Sequence, residues 1–507
     1  MGHYLSAREL DDVAPAEVAS FRSPIPTQIV SNGEYNPPPQ TREQRRVEAR
    51  VKDLATDLSR RHGMGRRQFL ASSAGMAAAF LAMNEVFGPV FEVSPAEAQT
   101  PGAADARATA LAGQFIFDDQ THFVRDDFKQ AGLLDLAKYA KQHWNPALAG
   151  ENDLARFKFE NYVKEIFVDS DTKVALLSGA PFDDPTWDLL TNDQITGARA
   201  VINRIAGARR LLAHAVFTPN KPGWMNEVDR CIAVVRPDSW KGYTVGDPLS
   251  PSKLRSYWRL DDEKTVYPFY EKAVKAGINT VCIHKGLLPG DYEKSWTGVW
   301  EYNTVWDVGK AAKDWPQINF VIYHSALRMF LEPPDAMLNE FERAGRIKWA
   351  TDLAEIPAKF GVSNVYGEIG TSFATCAVAS PRLAAALMGT LVRGLGADHV
   401  VWGSDSVWYG SPQWQIEALR RLEIPEDMRR KHGFALLGAA DGLVKTAIFG
   451  ANSARLYRVS VKSALAPIAT DRIAAITREY RENGGMRSNA RYGYVHRPPR
   501  AAGPAGL

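Results

Sequence analysis

Short apolar runs bounded by turn-forming residues alternate with longer stretches in which apolar positions recur every three or four residues, from about residue 115 to 458. The runs read as strands at about 115–118, 173–178, 212–217, 241–245, 279–284, 319–324, 364–368 and 399–404. The fourth has the poorest pattern. Helical periodicity falls at 192–210, 263–276, 304–312, 334–344, 381–394 and 411–422, between or after the strands. Strand followed by helix, repeated, predicts an α/β fold, a (β/α)8 barrel with insertions at its rim. The stretches 123–172 and 287–300 are read as those insertions, because the first exceeds an ordinary crossover. In such a barrel all strands end on one rim, so residues far apart in the chain meet there.

Four runs end on chemistry. Phe115-Ile116-Phe117 leads into Asp118-Asp119-Gln120-Thr121-His122, Val281-Cys282-Ile283 into His284, Phe320-Val321-Ile322-Tyr323 into His324, and Val400-Val401-Trp402-Gly403-Ser404 into Asp405. Imidazole nitrogen suits a borderline divalent cation, so His122 and His284 are candidate ligands. Asp405 can bind the cation or take a proton from water; the competing role is a helix N-cap, which Ser406 can fill instead. Gln120 offers only a neutral, weaker amide oxygen. Asp118 and Asp119 rank below it: one of them can support His122 by hydrogen bonding, and an extended strand turns Asp119 to the opposite face from Gln120 and His122. Arg328, four residues past His324, is placed to meet an anionic substrate. Trp144, Trp187, Trp296, Trp300 and Trp408 fall in loop-like rim segments, where they either wall an aromatic pocket or pack the loops.

In order and spacing these segments resemble the amidohydrolase-related family, metal-dependent (β/α)8 barrels that include hydrolases and non-oxidative decarboxylases. The family shows Asp-x-His-x-His after its first strand, His after the fifth, a His-Ser-Gly-like turn after the sixth and Gly-Ser-Asp after the eighth. This chain offers Asp118-x-Gln120-x-His122, His284, His324-Ser325-Ala326 and Gly403-Ser404-Asp405. Asn364-Val365-Tyr366 and the closing segment from Ile448-Phe449-Gly450 to Arg455-Leu456 also match. The resemblance implies one divalent metal ion, expected to be zinc, held by His122, His284 and Asp405 with help from Gln120, while His324 serves as a non-ligating acid, base or carbonyl polariser. It departs at Gln120, where the family has His and some decarboxylases are expected to carry Glu. The first expectation is hydrolysis of an ester, amide or related carbonyl through metal-activated water. The alternative is non-oxidative decarboxylation of an aromatic or unsaturated acid, and the third, resting on Gln120, is a non-catalytic binding barrel. The partner is a small-molecule substrate; homo-oligomerisation stays open.

Charge and composition narrow this little further. With 61 basic and 58 acidic residues interspersed, the net charge of +3 carries no nucleic-acid footprint. Three scattered cysteines form neither a disulfide framework nor a Cys-x-x-Cys site. Gly65-Arg66-Arg67-Gln68-Phe69-Leu70, then an apolar run to Met83 and Ala96-Glu97-Ala98, predicts a twin-arginine signal over residues 66–98. That implies the twin-arginine export machinery as partner and a periplasmic or secreted product. The run is shorter than the ~20 residues needed to span a bilayer, so no stable membrane span is expected. Residues 1–65, rich in Pro and charge, are expected to be disordered, with Met64 an alternative start. The barrel is expected over 99–458, then a helix and a loose tail over 459–507.

Overall fold

The fold comes from a computed structural model that describes residues 13–16, 21–124, 159–180, 189–246, 256–287, 292–295, 297–329 and 334–496. Trp144, Trp187 and Trp296 lie outside the described residues, as does most of the expected 123–172 insertion. Ten strands are present among the described residues: β1 (Val13–Pro15), β2 (Phe117–Thr121), β3 (Val174–Leu177), β4 (Leu211–Val216), β5 (Ser239–Tyr243), β6 (Thr280–His284), β7 (Asn319–Tyr323), β8 (Val365–Glu368), β9 (Val400–Val401) and β10 (Tyr494–His496). Strands β2 to β9 form one sheet in sequential order, every neighbouring pair parallel. Backbone hydrogen bonds close the ring between its ends: Asp119 N donates to Trp402 O (2.9 Å) and Asp405 N to Gln120 O (2.9 Å). This is the (β/α)8 barrel that the alternating pattern predicts.

The strands look apolar on both sides in sequence because both sides are covered. Cys282, Val321, Tyr323, Phe117, Leu176, Leu212 and Val401 pack inside the barrel. Their neighbours Val281, Ile283, Phe320 and Ile322 pack outward with Phe269, Ala273, Val308 and Leu353 of the surrounding helices. The fourth barrel strand is Ser239–Tyr243, two residues earlier than the pattern suggests. Its Ser239 and Lys241 are buried polar residues, so no apolar run marks it.

The N-terminal region departs from expectation. Residues 42–61, expected to be disordered, form a helix opened by a Thr41–Gln44 capping box. Val47, Val51, Ala55 and Leu58 recur on one face and bury it, with Phe80 and Met83, in the core cluster that also holds Trp402 and Leu419. The apolar run behind Arg66-Arg67 becomes the helix Ser73–Phe87, and Ala77, Ala79, Phe80 and Met83 are buried in it. Arg66 and Arg67 themselves stay exposed. Among the described residues no helix is long and apolar enough to cross a membrane. The C-terminal segment is likewise tied down: β10 pairs antiparallel with β1, and Tyr492 Oη donates to Glu165 Oε1 (2.6 Å). Ordered backbone therefore continues to residue 496 where a loose tail is expected.

Candidate functional site

The barrel mouth is assembled from four strand ends held in unusual backbone. Register shifts between Asp118 and Thr121 in β2, a bulge-like irregularity of the kind that re-aims side chains. Asp118 Oδ1 accepts the Ser404 amide (2.9 Å), tying the end of β2 to the turn that carries Asp405. Gly403 is required in that turn: a Cβ there would sit 1.9 Å from Glu368 Oε1. His324, Ser325, Ala326, Thr371 and Asp405 all take positive φ, between 46° and 61°. Non-glycine residues in such conformations cost about 1–3 kcal/mol each and persist only where neighbours enforce them. Glu368 enforces two of the turns, its Oε2 accepting His324 N (3.0 Å) and its Oε1 accepting Gly370 N (2.5 Å), while its carbonyl accepts Ser325 Oγ (2.8 Å).

These turns bring Gln120, His122, His284, His324 and Asp405 into one buried cluster. His122 Nε2 lies 3.1 Å from Asp405 Oδ1, and Gln120 Nε2 lies 3.0 Å from the same oxygen. His324 Nε2 is 3.5 Å from Gln120 Nε2 and 3.1 Å from His284 Nδ1. The ring orientations are set from behind. His122 Nδ1 bonds Ser178 O (2.9 Å) and His324 Nδ1 bonds Gly370 O (2.9 Å). A carbonyl only accepts, so both rings carry a proton on Nδ1; the neutral His324 therefore presents a bare Nε2 to the cluster, while His122 Nε2 faces Asp405 Oδ1. Asp405 Oδ2 is taken by Thr371 Oγ1 (2.6 Å) and Asn32 Nδ2 (2.9 Å). Flat rings flank the imidazoles: Tyr243 stacks on His284 at 4.7 Å and Trp408 on His122 at 6.0 Å.

Asn32 belongs to an N-terminal strap that crosses the mouth. It also donates to Glu34 Oε2 (2.6 Å), and Glu34 Oε1 stands 3.6 Å from His284 Nδ1. Among the described residues, Glu34, His284 and His324 each bring one potential ligand atom within 4.8 Å of the other two. Below the cluster Lys241 is buried with its Nζ unpaired by hydrogen bonds, 3.5 Å from the centre of the Tyr323 ring.

Burial dominates the electrostatics. It pushes Glu34 up to about 8, with the neighbouring Asp405 adding to the rise, and it pushes Asp118 up to about 7 and Asp119 up to about 8. Glu368 is raised well above its usual range for the same reason. Burial opposes ionisation of Asp405 as well, but the His122 hydrogen bond and charge outweigh it and hold this carboxyl below its usual range. Lys241 is lowered to about 8 and His324 to about 4, both by burial, and His122 and His284 are lowered likewise. Neutral imidazoles beside an ionised Asp405 are the protonation states a cation needs.

In the metal-free protein His324 ties stability to pH. Between the usual histidine value of 6.5 and the folded value of about 4, unfolded His324 binds a proton that folded His324 refuses. Stability should therefore fall as pH drops through this window, by about 3 kcal/mol for this ring alone. Urea melts in chelator at pH 7.5 and 4.5 measure it, and a His324→Gln variant should show a shallower dependence. An unchanged slope in the variant would remove this ring from the account.

The donor set fits a divalent ion. Ligand atoms about 2.0–2.2 Å from one cation lie roughly 3–4 Å apart; His122 and Gln120 stand 3.1 and 3.0 Å from Asp405 Oδ1, and His324 and Glu34 stand 3.1 and 3.6 Å from His284 Nδ1, so ligand-like spacing occurs around each of these two atoms. Gln120 Oε1 is buried without a hydrogen-bond partner, and a half-turn of the amide would present it where Nε2 now points. Arg328 is not drawn in by the contacts it makes: its guanidinium pairs with Glu293 and lies 4.2 Å over the Tyr292 ring. Trp300 stacks on Trp349 at 6.1 Å and so packs the rim, whereas Trp408 reaches the cluster.

Sequence reasoning missed Asn32, Glu34, Lys241, Glu368 and Thr371. Glu368 carried a usable signal, since it ends β8 as His284 ends β6. The strap carried none, because its Pro-rich surroundings read as disorder.

Among curated proteins none matches the chain. By structure it is similar to an uncharacterised TIM-barrel protein, Bb4693, from Bordetella bronchiseptica (12% identity, 70% of this chain and 99% of that one, TM-score 0.42). It is also similar to 5-carboxyvanillate decarboxylase LigW from Sphingomonas paucimobilis (15% identity, 68% and 100%, TM-score 0.40). A third similar structure is 2,6-dihydroxybenzoate decarboxylase from Rhizobium (13% identity, 68% and 99%, TM-score 0.39). Residues 209–459, which contain His284, His324 and Asp405 but not Gln120 or His122, match the amidohydrolase family.

Proposed function

We propose that the barrel holds one divalent cation, most simply zinc, through His122, His284 and Asp405, and removes a carboxyl group from a planar aromatic or unsaturated acid. The observation that carries this reading is a buried cluster with flat rings beside it, whose one clearly ionised carboxylate is already saturated. Asp405 accepts from Thr371 and Asn32 on one oxygen and touches Gln120 and His122 on the other. Such a carboxylate is a poor base for activating water, as hydrolysis requires. Decarboxylation needs no water. The Tyr243 and Trp408 rings, stacked on the imidazoles, suit a flat substrate better than a tetrahedral one.

When bound, the cation would hold the substrate's carboxylate end and an adjacent oxygen and draw electron density from them. The protein's share is to enclose and orient. As the carbon–carboxyl bond breaks, carbon dioxide leaves and the bonding pair stays on the substrate carbon, which must then gain one proton. His324 is the group placed to carry it. His324 reaches this position through a bare Nε2, so it must first be charged from substrate or solvent. Hydrolysis, which the sequence alone puts first, is the second reading; it is favoured by Asp405 being held in its ionised form, able to take a proton.

Products separate the two. Aromatic acids should release carbon dioxide with no labelled water oxygen in the organic product. Incorporation of that oxygen into cleaved esters or amides, with no carbon dioxide from any acid, would reverse the order of the readings.

A further inference from the structure

We propose that Glu34 is itself a ligand of the cation, so that the N-terminal strap forms part of the metal site; this rests on the metal-binding reading above. The strap is seated by its own contacts. Ser31 and Tyr494 exchange backbone hydrogen bonds (2.7 and 2.8 Å), and Tyr35 Oη bonds Val30 O (2.7 Å) and meets Thr375 Oγ1 (3.1 Å). Between these anchors Asn32 folds the chain back on itself, its Oδ1 accepting the Glu34 amide (3.0 Å). The Asn32 side-chain amide then bridges Glu34 Oε2 and Asp405 Oδ2, so the two carboxylates share one donor. Glu34 Oε1 is left facing the imidazoles of His284 and His324.

Charge says what such an arrangement is for. A segment that only plugged the mouth would do so most cheaply with apolar or cationic side chains. This one delivers a second carboxyl group into a fully buried space that already holds Asp405, where its ionised form is unfavourable unless a cation joins them. With Gln120 neutral, Asp405 alone balances half the charge of a divalent ion. Asp405 and Glu34 together balance all of it. The carboxylate that β2 lacks at position 120 thus comes from a segment some ninety residues earlier.

Titration of the chelator-stripped full chain with Mn2+, following the free-ion paramagnetic resonance signal, tests this without reference to turnover. One ion per chain is expected. Glu34→Gln keeps the size of the side chain and an oxygen for Asn32, and should raise Kd about tenfold or more while the metal-free thermal midpoint stays at the wild-type value. Equal Kd values in a wild type that binds Mn2+ would overturn the ligand role alone, whereas a wild type that takes up no ion would overturn this role together with the metal reading. Should Glu34→Gln not fold, limited proteolysis of the wild type decides: bound Mn2+ should slow cutting within residues 21–41 severalfold, and an unchanged rate overturns the proposal.

Discussion

Alanine at His122 should reduce the metal content of the purified chain from one ion to a small fraction of one, and lower turnover by about three orders of magnitude or more. The ring is irreplaceable at its position. Its Nδ1 is fixed by Ser178 O and its Nε2 faces Asp405 Oδ1 at 3.1 Å, so no neighbouring side chain can swing in to supply the lost nitrogen. Cation charge stabilisation of about 4 kcal/mol corresponds to the stated rate factor. The barrel itself should survive, because β2 is held by backbone bonds to β3 and to the segment after β9, which alanine leaves in place. Metal analysis beside circular dichroism reads both outcomes at once. A folded His122→Ala protein that keeps a full complement of tightly bound ion would remove His122 from the ligand set.

How far the sequence could be read depended on which residues face inward. The strands β6 and β7 were legible because both faces are apolar, and their terminal His284 and His324 stood out as polar residues at the ends of apolar runs. β5 was misplaced for the opposite reason: a lysine buried against tyrosine rings looks in sequence like the edge of a loop. The strap was illegible in principle. Nothing in Ser31-Asn32-Gly33-Glu34-Tyr35 distinguishes a surface turn from one docked on a barrel, since its contacts are made to Tyr494, Thr375 and Asp405, all several hundred residues away. Arg328 reads as an anion-binding residue by its charge alone, whereas a cation near a rim has acidic neighbours too, and in the fold Arg328 pairs with Glu293. Gln120, the apparent defect in the motif, is not explained by β2 itself: the carboxylate proposed to complete the charge, Glu34, comes from elsewhere in the chain.

A chain beginning at residue 99 should be the most damaged variant of all: it should aggregate, or melt about 10 °C or more below the full chain, and lose tight metal binding. Residues 90–92 run against 421–423 through backbone bonds, Glu92 N to Arg421 O (2.7 Å) and Glu423 N to Val90 O (2.9 Å). Arg421, 2% exposed in its side chain, pairs with the carboxylate of Glu97, and Phe80 lies 5.4 Å beneath its guanidinium. Removing one partner of a buried ion pair costs about 3–5 kcal/mol, and loss of one buried Phe about the same. Together they approach the total stability of an ordinary domain. Export through a twin-arginine route, which Arg66-Arg67 still proposes, meets this constraint directly. Cleavage after Ala98 would discard the strap and the helix Ser73–Phe87, so export and an intact site are compatible only if the folded chain travels uncut. Intact mass of the exported protein, set beside the melting midpoint and Mn2+ affinity of the 99–507 chain, settles it. A cut chain that melts with the full-length protein and binds Mn2+ equally well would make the strap a passenger and withdraw Glu34 from the site.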